Sequence, residues 1–473
     1  MRVLIISTYD LGTQPLIPSR IKSVLTGEGH RVKAVDLAVS ALDADDLAQT
    51  EVVVFYIPMH TALSLAKELA ETIRSERSDI PFCFFGLYAP AAYGAGLLSP
   101  KDIAVAGDNF TILSSWLTSL QKNGKEHQIS GLHIDLGSPQ PTFSLPPDRS
   151  DFLPLGNYVH YLEGDTSKIV ATLETVAGCS HKCRHCPVPV IYGGRTRPTP
   201  REEILADAAQ QIAQGASHIH FSDPDFFNRA RYSLDIMAEL KHLWPHLTFD
   251  ATIKISHLLK YESLLPELKK YDCKLVIAAL EQVNDRTLDY LAKGHTKADA
   301  HKAFRLLRQL DIEPRPSLLP FTPWTTGQDL VELLDFVAEN DLAANIDPVQ
   351  WSIRLLIPPG SLLLGKEVEM PPGVLEETKN SLSMSWHSPD PKLDELATKI
   401  GRLAEKIADE PTYAAYIAIR KLIFSELEIP FYETGVSPDA ASKIPADQRP
   451  RLSENWFCCA VPTEDQMDKM SCR

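Results

Sequence analysis

Glu174-Thr175-Val176-Ala177-Gly178-Cys179-Ser180-His181-Lys182-Cys183-Arg184-His185-Cys186-Pro187 puts three thiols within eight positions, spaced Cys-x-x-x-Cys-x-x-Cys. Three thiolates on one loop can hold three irons of a cubane iron-sulfur cluster and leave the fourth open to a substrate, which a closed four-thiolate site does not. What flanks the loop decides the fold. An apolar, β-branched run, 169–176, leads into it, and a helical pattern, 201–214, follows Pro198 and Pro200. Strand, ligand loop and helix in that order are the beginning of an α/β unit. Structural zinc is the alternative, with His181 or His185 as fourth ligand of a Cys3His site. Against it, no second Cys-x-x-Cys follows to close such a site.

Working outward, the same alternation recurs on both sides. Before the loop, runs at 3–7, 32–35, 52–57, 82–85 and 103–105 alternate with helical patterns at 18–29 and 61–77. That pattern predicts a doubly wound parallel sheet, whose ligands bind beyond the strands' carboxyl ends. The loops to watch there are 8–15, 58–61, 86–93 and 107–110. After the loop, strands are expected at 218–222, 248–255, 274–280, 316–320 and 349–356, with helices at 229–244, 261–271, 297–310 and 327–340. Together with the strand entering the loop they make a partial (β/α)6 barrel, its reactive groups at the carboxyl ends of the strands. Leu393, Leu396, Ile400, Leu403 and Ile407 repeat at three and four, so 391–409 is an amphipathic helix packed on the barrel, followed by another at 412–427. The expected division is an α/β domain at 1–127, a proline-rich linker at 128–166, the barrel at 167–364, a helical extension at 365–450 and a cysteine-bearing tail at 451–473.

Composition bounds the function. The chain has 473 residues, too many for one ordinary core. Its 44% hydrophobic and 23% charged residues are those of a globular protein. A net charge of -15 offers no broad basic face, so a small-molecule substrate is expected and nucleic acid is not. The first ten residues are too short in apolar run for a signal peptide, and no stretch has the length of a membrane span. A cytoplasmic location follows, where clustered thiols are metal or redox ligands rather than disulfides. Cys83 and Cys273 read as isolated core thiols.

The Cys-x-x-x-Cys-x-x-Cys loop after a glycine, at the end of a first barrel strand, resembles the signature of radical S-adenosylmethionine (radical SAM) enzymes, over about 174–364. The resemblance implies that Cys179, Cys183 and Cys186 ligate a [4Fe-4S] cluster. Its open iron then binds SAM, and an electron donor such as flavodoxin or ferredoxin supplies the electron. Where the family usually carries Gly-Gly-Glu for the SAM amino group, this chain has Ser222-Asp223-Pro224-Asp225. Asp223 or Asp225 is the candidate acceptor, a helix N-cap being the alternative. Glu281 stands where a polar residue reaches the SAM ribose, and Lys254 and Arg354 are candidate partners of the SAM carboxylate. Lys293-Gly294-His295-Thr296 reads as a helix C-cap, with a ligand role for His295 as the lesser option. The N-terminal domain resembles a cobalamin-binding domain. The family's Asp-x-His-x-x-Gly falls on Asp10-Leu11-Gly12-Thr13-Gln14, which has no histidine, and that leaves open whether cobalamin binds.

The ending Cys458-Cys459-Ala460-Val461-Pro462, with Cys472, resembles the CUAEP/CCAEP-tail branch of radical SAM proteins, Val461 replacing the acid. Some enzymes of that type are associated with organoarsenical biosynthesis of the arsinothricin kind. The resemblance implies a transferase in which these thiolates hold trivalent arsenic while a SAM-derived 3-amino-3-carboxypropyl group is joined to it, since soft metalloids prefer thiolates. The alternative is cobalamin-dependent radical methylation or rearrangement.

Overall fold

The computed structural model describes residues 1–122, 129–134, 145–376 and 381–454. Its first sheet is six parallel strands, β1 (Arg2–Ser7), β2 (Arg31–Asp36), β3 (Val52–Tyr56), β4 (Phe82–Gly86), β5 (Ile103–Ala106) and β6 (Gly131–Ile134), in the order β2-β1-β3-β4-β5-β6. This is the doubly wound parallel sheet expected, in the flavodoxin-like order extended by one strand. Both faces are apolar because successive side chains point opposite ways. Leu4, Ile6, Val53, Phe55, Phe82 and Phe84 fill one core, and Val3, Ile5, Val52, Val54, Cys83 and Phe85 the other. The chain switches direction between β1 and β3, so the loops after those strands flank the crevice where such sheets bind ligands.

The second sheet curls into a half-barrel. β8 (Thr166–Leu173), β11 (His218–Phe221), β12 (Thr248–Ile253), β13 (Cys273–Glu281) and β14 (Glu313–Leu318) run parallel in the order β14-β13-β12-β11-β8. β7 (His160–Glu163) and a two-residue strand, Arg451–Leu452, extend the edge antiparallel. Outward residues such as Leu173, Phe221, Phe249 and Leu280 pack under helices Arg201–Ala213, Ala230–Leu243, Lys297–Gln309 and Gly327–Glu339. Helices Pro391–Lys406 and Thr412–Glu426 share that core through Leu393, Leu396, Ile400, Ile419 and Ile423. The first of them starts where Asp390 caps the Lys392 N–H and Pro391 presets the first turn.

Three expectations change. The stretch 128–166 holds β6, an edge strand of the first sheet, and β7, an edge strand of the second. The sixth barrel strand expected at 349–356 is a 3-10 turn, Pro348–Ser352, followed by a single parallel bridge between Phe321 and Arg354. Pro320 and Pro323 flank Phe321 and have no N–H to give, so the ladder stops at one rung. The helix expected at 261–271 is a 3-10 turn, Glu262–Leu264, running into a short helix, Leu265–Lys270, with Pro266 near its start.

Candidate active site

The apolar run entering the cysteine loop breaks at Glu174 and Thr175, and the break is what aims the loop. Asp223, at the end of β11 and fully buried, accepts hydrogen bonds from the Thr175 N–H (2.8 Å), the Val176 N–H (2.8 Å) and the Thr175 hydroxyl (2.5 Å). The chain then forms β9 (Val176–Gly178), paired antiparallel with β10 (Thr196–Pro198), so the thiol loop is the lobe of a hairpin standing on the first barrel strand. Gly178 is required there: its φ is +78°, and a Cβ would lie 2.5 Å from the Arg195 carbonyl oxygen. Ser180 donates to the Asn228 side chain through its N–H (2.9 Å) and hydroxyl (2.8 Å), and the Arg184 guanidinium donates to the Asp289 and Tyr290 carbonyls. The loop is thus pinned to the ends of two barrel strands and to a helix.

Cys179, Cys183 and Cys186 are all free thiols, the first two buried and the third half-buried. Burial pushes the Cys179 and Cys186 thiols up, so without iron they stay protonated. The Asn228 side chain and the His181 N–H oppose this at Cys179 by donating to its sulfur. Among the described residues, one group of His, Cys, Asp and Glu has ligand atoms all within 4.8 Å of one another, and it is not the three thiols. A single zinc ion needs sulfurs closer than that, with bonds of about 2.3 Å. A cubane, which spreads its thiolates over separate irons, does not. His181, the fourth ligand of the zinc alternative, is turned to Asp225 at 2.9 Å. The donor set therefore fits an iron-sulfur cluster with one open iron.

Around the loop lies a ring of buried charge. Glu281 ends β13 in the left-handed region, φ +65°, at a register shift against β14, and its carboxylate accepts from the Lys293 ammonium at 3.0 Å, with His185 Nε2 3.8 Å away. That conformation is uncommon for a non-glycine residue and costs on the order of 1–3 kcal/mol, which the surrounding contacts offset. Burial opposes charge on both partners, but the pair outweighs it: Glu281 is held below the usual carboxylate range and Lys293 above the usual ammonium range, Cys183 adding to the latter. Burial brings His185 and His295 down to about 4, so both imidazoles are neutral. His185 Nδ1 and both ring nitrogens of His295 are buried without a hydrogen-bond partner. Lys254 immediately precedes helix Ile255–Lys260 and is buried, its Nζ 4.0 Å from where a Cβ added to Gly294 would lie. Unsatisfied donors and acceptors converging beside ligand cysteines are what a polar cofactor would satisfy.

Several expected site residues lie elsewhere. Both oxygens of Asp223 are engaged by the chain break. Asp225 accepts from the Phe227 N–H, His181 and His257, so it is the N-cap weighed as the alternative and a histidine clasp besides. Neither carboxylate is held out for an ammonium. Arg354 is engaged by other partners: it donates to Asp394 (2.5 Å) and the Trp386 carbonyl (2.9 Å) and stacks on the Trp386 ring. Lys293-Gly294-His295-Thr296 is not a helix C-cap. The preceding helix, Asp285–Tyr290, has already ended, and Thr296 caps the next one with Asp299. Cys458, Cys459 and Cys472 lie outside the described residues. His257 and the Lys293–Glu281 pair were not legible from the sequence, because each joins residues whose nearness only the fold creates.

The N-terminal sheet meets this site directly. Arg20 donates to Glu174 (2.6 Å) and Glu203 (2.8 Å), Tyr192 donates to Asp108 (3.0 Å), which also pairs with Arg197, and buried Arg149 forks onto Asp207 (2.8 and 2.9 Å). Ile191, one turn beyond Cys186, packs against Gly107 and joins the N-terminal core. A narrow pocket between the domains is lined by Leu87, Tyr88, His185, Cys186 and Ser361. The loop after β1 contains no histidine, and His60 is buried beside Tyr88 in the N-terminal core, with its Nδ1 unpartnered. These residues do not fit ligation of cobalt by the protein, so no step is derived through cobalamin.

Residues 173–337 match the Radical SAM superfamily. The chain carries a radical SAM domain. Among curated proteins this domain is similar to the ribosomal protein uS12 methylthiotransferase RimO of Parabacteroides distasonis, 27% identical over 185 residues, covering 37% of this chain and 42% of the relative. It is also similar to RimO of Chlorobium chlorochromatii, 29% identical over 179 residues, covering 36% of this chain and 40% of the relative. The chain thus spans about two-fifths of the length of these relatives. Likeness in fold extends further than the radical SAM domain. The cobalamin-dependent S-adenosylmethionine radical enzyme OxsB with aqua-cobalamin bound superposes with a TM-score of 0.63 at 15% identity, covering 89% of this chain and 73% of that one. The radical S-adenosylmethionine methyltransferase TsrM from Kitasatospora setae, with cobalamin and a [4Fe-4S] cluster bound, gives 0.54 at 15% identity, covering 91% of each. The flavodoxin-like sheet and half-barrel are therefore an arrangement shared with cobalamin-dependent radical SAM enzymes. No helix among the described residues is long and apolar enough to cross a membrane.

Proposed function

We propose that this protein is a radical SAM transferase that binds a [4Fe-4S] cluster on Cys179, Cys183 and Cys186 and cleaves S-adenosylmethionine reductively. The observation that carries the reading is the geometry of the loop: three free thiols, too far apart for one ion, beside Glu281, Lys293, Lys254 and two neutral histidines with unpartnered ring nitrogens. When bound, the cluster supplies one electron to the sulfonium of SAM, breaking a C–S bond to give a carbon radical and a thioether. The protein's share is positioning and exclusion of water. Lys254, which has no carboxylate partner among the described residues, would pair with the carboxylate of SAM. Glu281, its charge kept by Lys293, would accept ribose hydroxyls. The N-terminal sheet, clamped by Arg20 and Arg149, covers the mouth. Flavodoxin or ferredoxin is the class of electron donor the chemistry calls for.

The acceptor we favour is thiophilic, such as trivalent arsenic held by Cys458, Cys459 and Cys472, which would take the 3-amino-3-carboxypropyl radical while one As–S bond breaks and a second electron from the donor releases that sulfur as thiolate, arsenic staying trivalent. Two observations support this. The tail carries the paired thiols, and the last described residue, Glu454, sits against Gly12 in the loop after β1. The test is to incubate reduced, reconstituted protein with SAM and arsenite and identify the fragments. Methylthioadenosine with a carbon-bound arsenic product, lost in Cys458→Ser and Cys459→Ser, is expected. 5'-Deoxyadenosine as the sole nucleoside product sinks the aminocarboxypropyl route while leaving the cluster reading intact. A second reading, cobalamin-dependent radical methylation or rearrangement, is favoured by the likeness in fold. Retention of added hydroxocobalamin through gel filtration, together with methyl transfer from SAM, would support it instead.

A further inference from the structure

We propose that His181, Asp225 and His257 form a second metal centre, a mononuclear site for a divalent transition-metal ion beside the cysteine loop. The three residues come from three elements: the loop between Cys179 and Cys183, the turn after β11, and the first turn of the helix Ile255–Lys260 after β12. His181 Nε2 lies 2.9 Å from Asp225 Oδ2, His257 Nδ1 lies 2.8 Å from the same oxygen, and the two ring nitrogens are 3.3 Å apart. This is the group of described residues whose ligand atoms all fall within 4.8 Å of one another.

The triangle has the dimensions of a coordination face. Three donors on one face of an octahedron, with bonds of about 2.1 Å, are separated by about 3.0 Å, and two histidines with one carboxylate are the set that leaves three further positions open. Hydrogen bonding alone describes it less well. Two imidazole nitrogens then crowd a single carboxylate oxygen from 3.3 Å apart, although Asp225 has a second oxygen. That second oxygen, Oδ1, is fixed by the Phe227 N–H at 3.0 Å, which aims Oδ2 at the histidines. Support of this kind from a backbone donor is what ligating carboxylates ordinarily have. Asp225 and His257 are buried, and the Tyr261 ring packs edge-on against His257 at 5.3 Å, so the rings are held in place. Imidazole and carboxylate together select iron(II), cobalt(II) or zinc(II) over magnesium or calcium, which prefer oxygen alone. The open positions would take an oxygen or nitrogen donor of the substrate.

The full-length holoprotein tests this with its [4Fe-4S] cluster in the oxidised, diamagnetic state, where added cobalt(II) is the paramagnetic species. Titration with cobalt(II), followed by desalting and metal analysis, should leave one cobalt per chain with the cluster iron unchanged. Pulsed electron paramagnetic resonance of that sample should show two imidazole nitrogens on the cobalt, and X-ray absorption at the cobalt edge should show nitrogen and oxygen neighbours and no sulfur. Asp225→Asn and His257→Gln should each weaken binding at least tenfold, while the exposed His242→Gln and His246→Gln should not. No retained cobalt in the wild-type protein, or cobalt carrying fewer than two imidazoles, overturns the proposal. The spectroscopic arm needs no variant, so a substitution that disturbs folding does not blur the answer.

Discussion

Two sets of parallel strands bring their carboxyl ends to the same junction, and they use them differently. At the edge of the N-terminal sheet and the segment behind it, the charged groups are matched to the barrel: Arg20 to Glu174 and Glu203, Asp108 to Tyr192 and Arg197, Arg149 to Asp207. At the barrel edge, three thiols are free, His185 and His295 keep unpartnered ring nitrogens, and Glu281 is held in the left-handed region. Ligand sites are expected at such ends in both architectures. What separates a docking edge from a chemical one is how completely its polar groups are satisfied by protein. Substitutions on the two sides should therefore fail in different ways.

The largest effect belongs to the thiols. Replacing Cys179, Cys183 or Cys186 with serine should abolish the cluster's absorption near 400 nm and its acid-labile sulfide, and lower SAM cleavage by at least ~100-fold. Asp108→Asn, on the docking side, should leave cluster content unchanged. Equal loss of cluster in the two sets would erase the distinction.

Arg149→Met should come next, and should act on stability. The guanidinium and Asp207 are buried together, and removing one partner leaves an uncompensated charge, costing about 3–5 kcal/mol. Denaturant titration of the reconstituted protein measures this, and iron and sulfide content should hold. If Arg149→Met unfolds at the wild-type midpoint, the clamp is not what joins the two parts.

Much of this contrast was legible in the sequence, and the limits are physical. Alternating runs such as 3–7 and 52–57 reveal a sheet covered on both faces, because side-chain direction alternates whatever the rest of the chain does. Ligand spacing in the cysteine loop is likewise local. β6 was hidden because four residues ending in His133 and Ile134, next to a proline-dense stretch, carry too little pattern to stand out. The sixth barrel strand was over-read, since an apolar run does not show that its neighbour, Phe321, is boxed in by prolines. Side-chain partners were the least legible. Asp223 and Asp225 fall just after the second barrel strand, as expected, while Arg354 lies on a lone bridge and not on the strand expected there; the partners of all three, Thr175, His257 and Asp394, are decided by tertiary approach across 32 to 48 residues for each pair.

Glu281→Gln sharpens the chemical side with a smaller change. The amide keeps an acceptor near Lys293 but removes the charge that Lys293 balances. SAM affinity should fall roughly tenfold, about 1.4 kcal/mol, with the cluster retained. Calorimetric titration with SAM reads it directly, and an unchanged Kd would remove Glu281 from the cofactor site.

The smallest effect distinguishes the two regions by the sign of their pH dependence. Asp36, at the end of β2, is buried, and burial followed by the charge of Asp10 raises its pKa to about 7 against the Ala38 N–H that accompanies it. A carboxyl raised in the fold contributes stability that is full below its unfolded value near 4 and is lost as pH rises from 4 to 7. Asp250, on β12, runs the other way. Burial opposes its ionisation, but His220 and His218 outweigh it and bring the pKa down to about 2, so its contribution is present above pH 4 and lost as pH falls toward 2. Asp36→Asn should therefore gain on the order of 1 kcal/mol at pH 8 relative to the wild-type protein and lose that advantage by pH 4, leaving the acid limb in place. Asp250→Asn should flatten the acid limb, and because the Asp250 carboxylate also raises His220, it should remove the stability that His220 contributes at low pH and loses as pH rises above neutral. Stability curves by urea denaturation at each pH test both. If Asp36→Asn tracks the wild-type slope between pH 4 and 7, Asp36 does not titrate in that window, and Asp10, raised to about 7 mainly by its burial, is left as the carboxyl that sets the N-terminal edge apart.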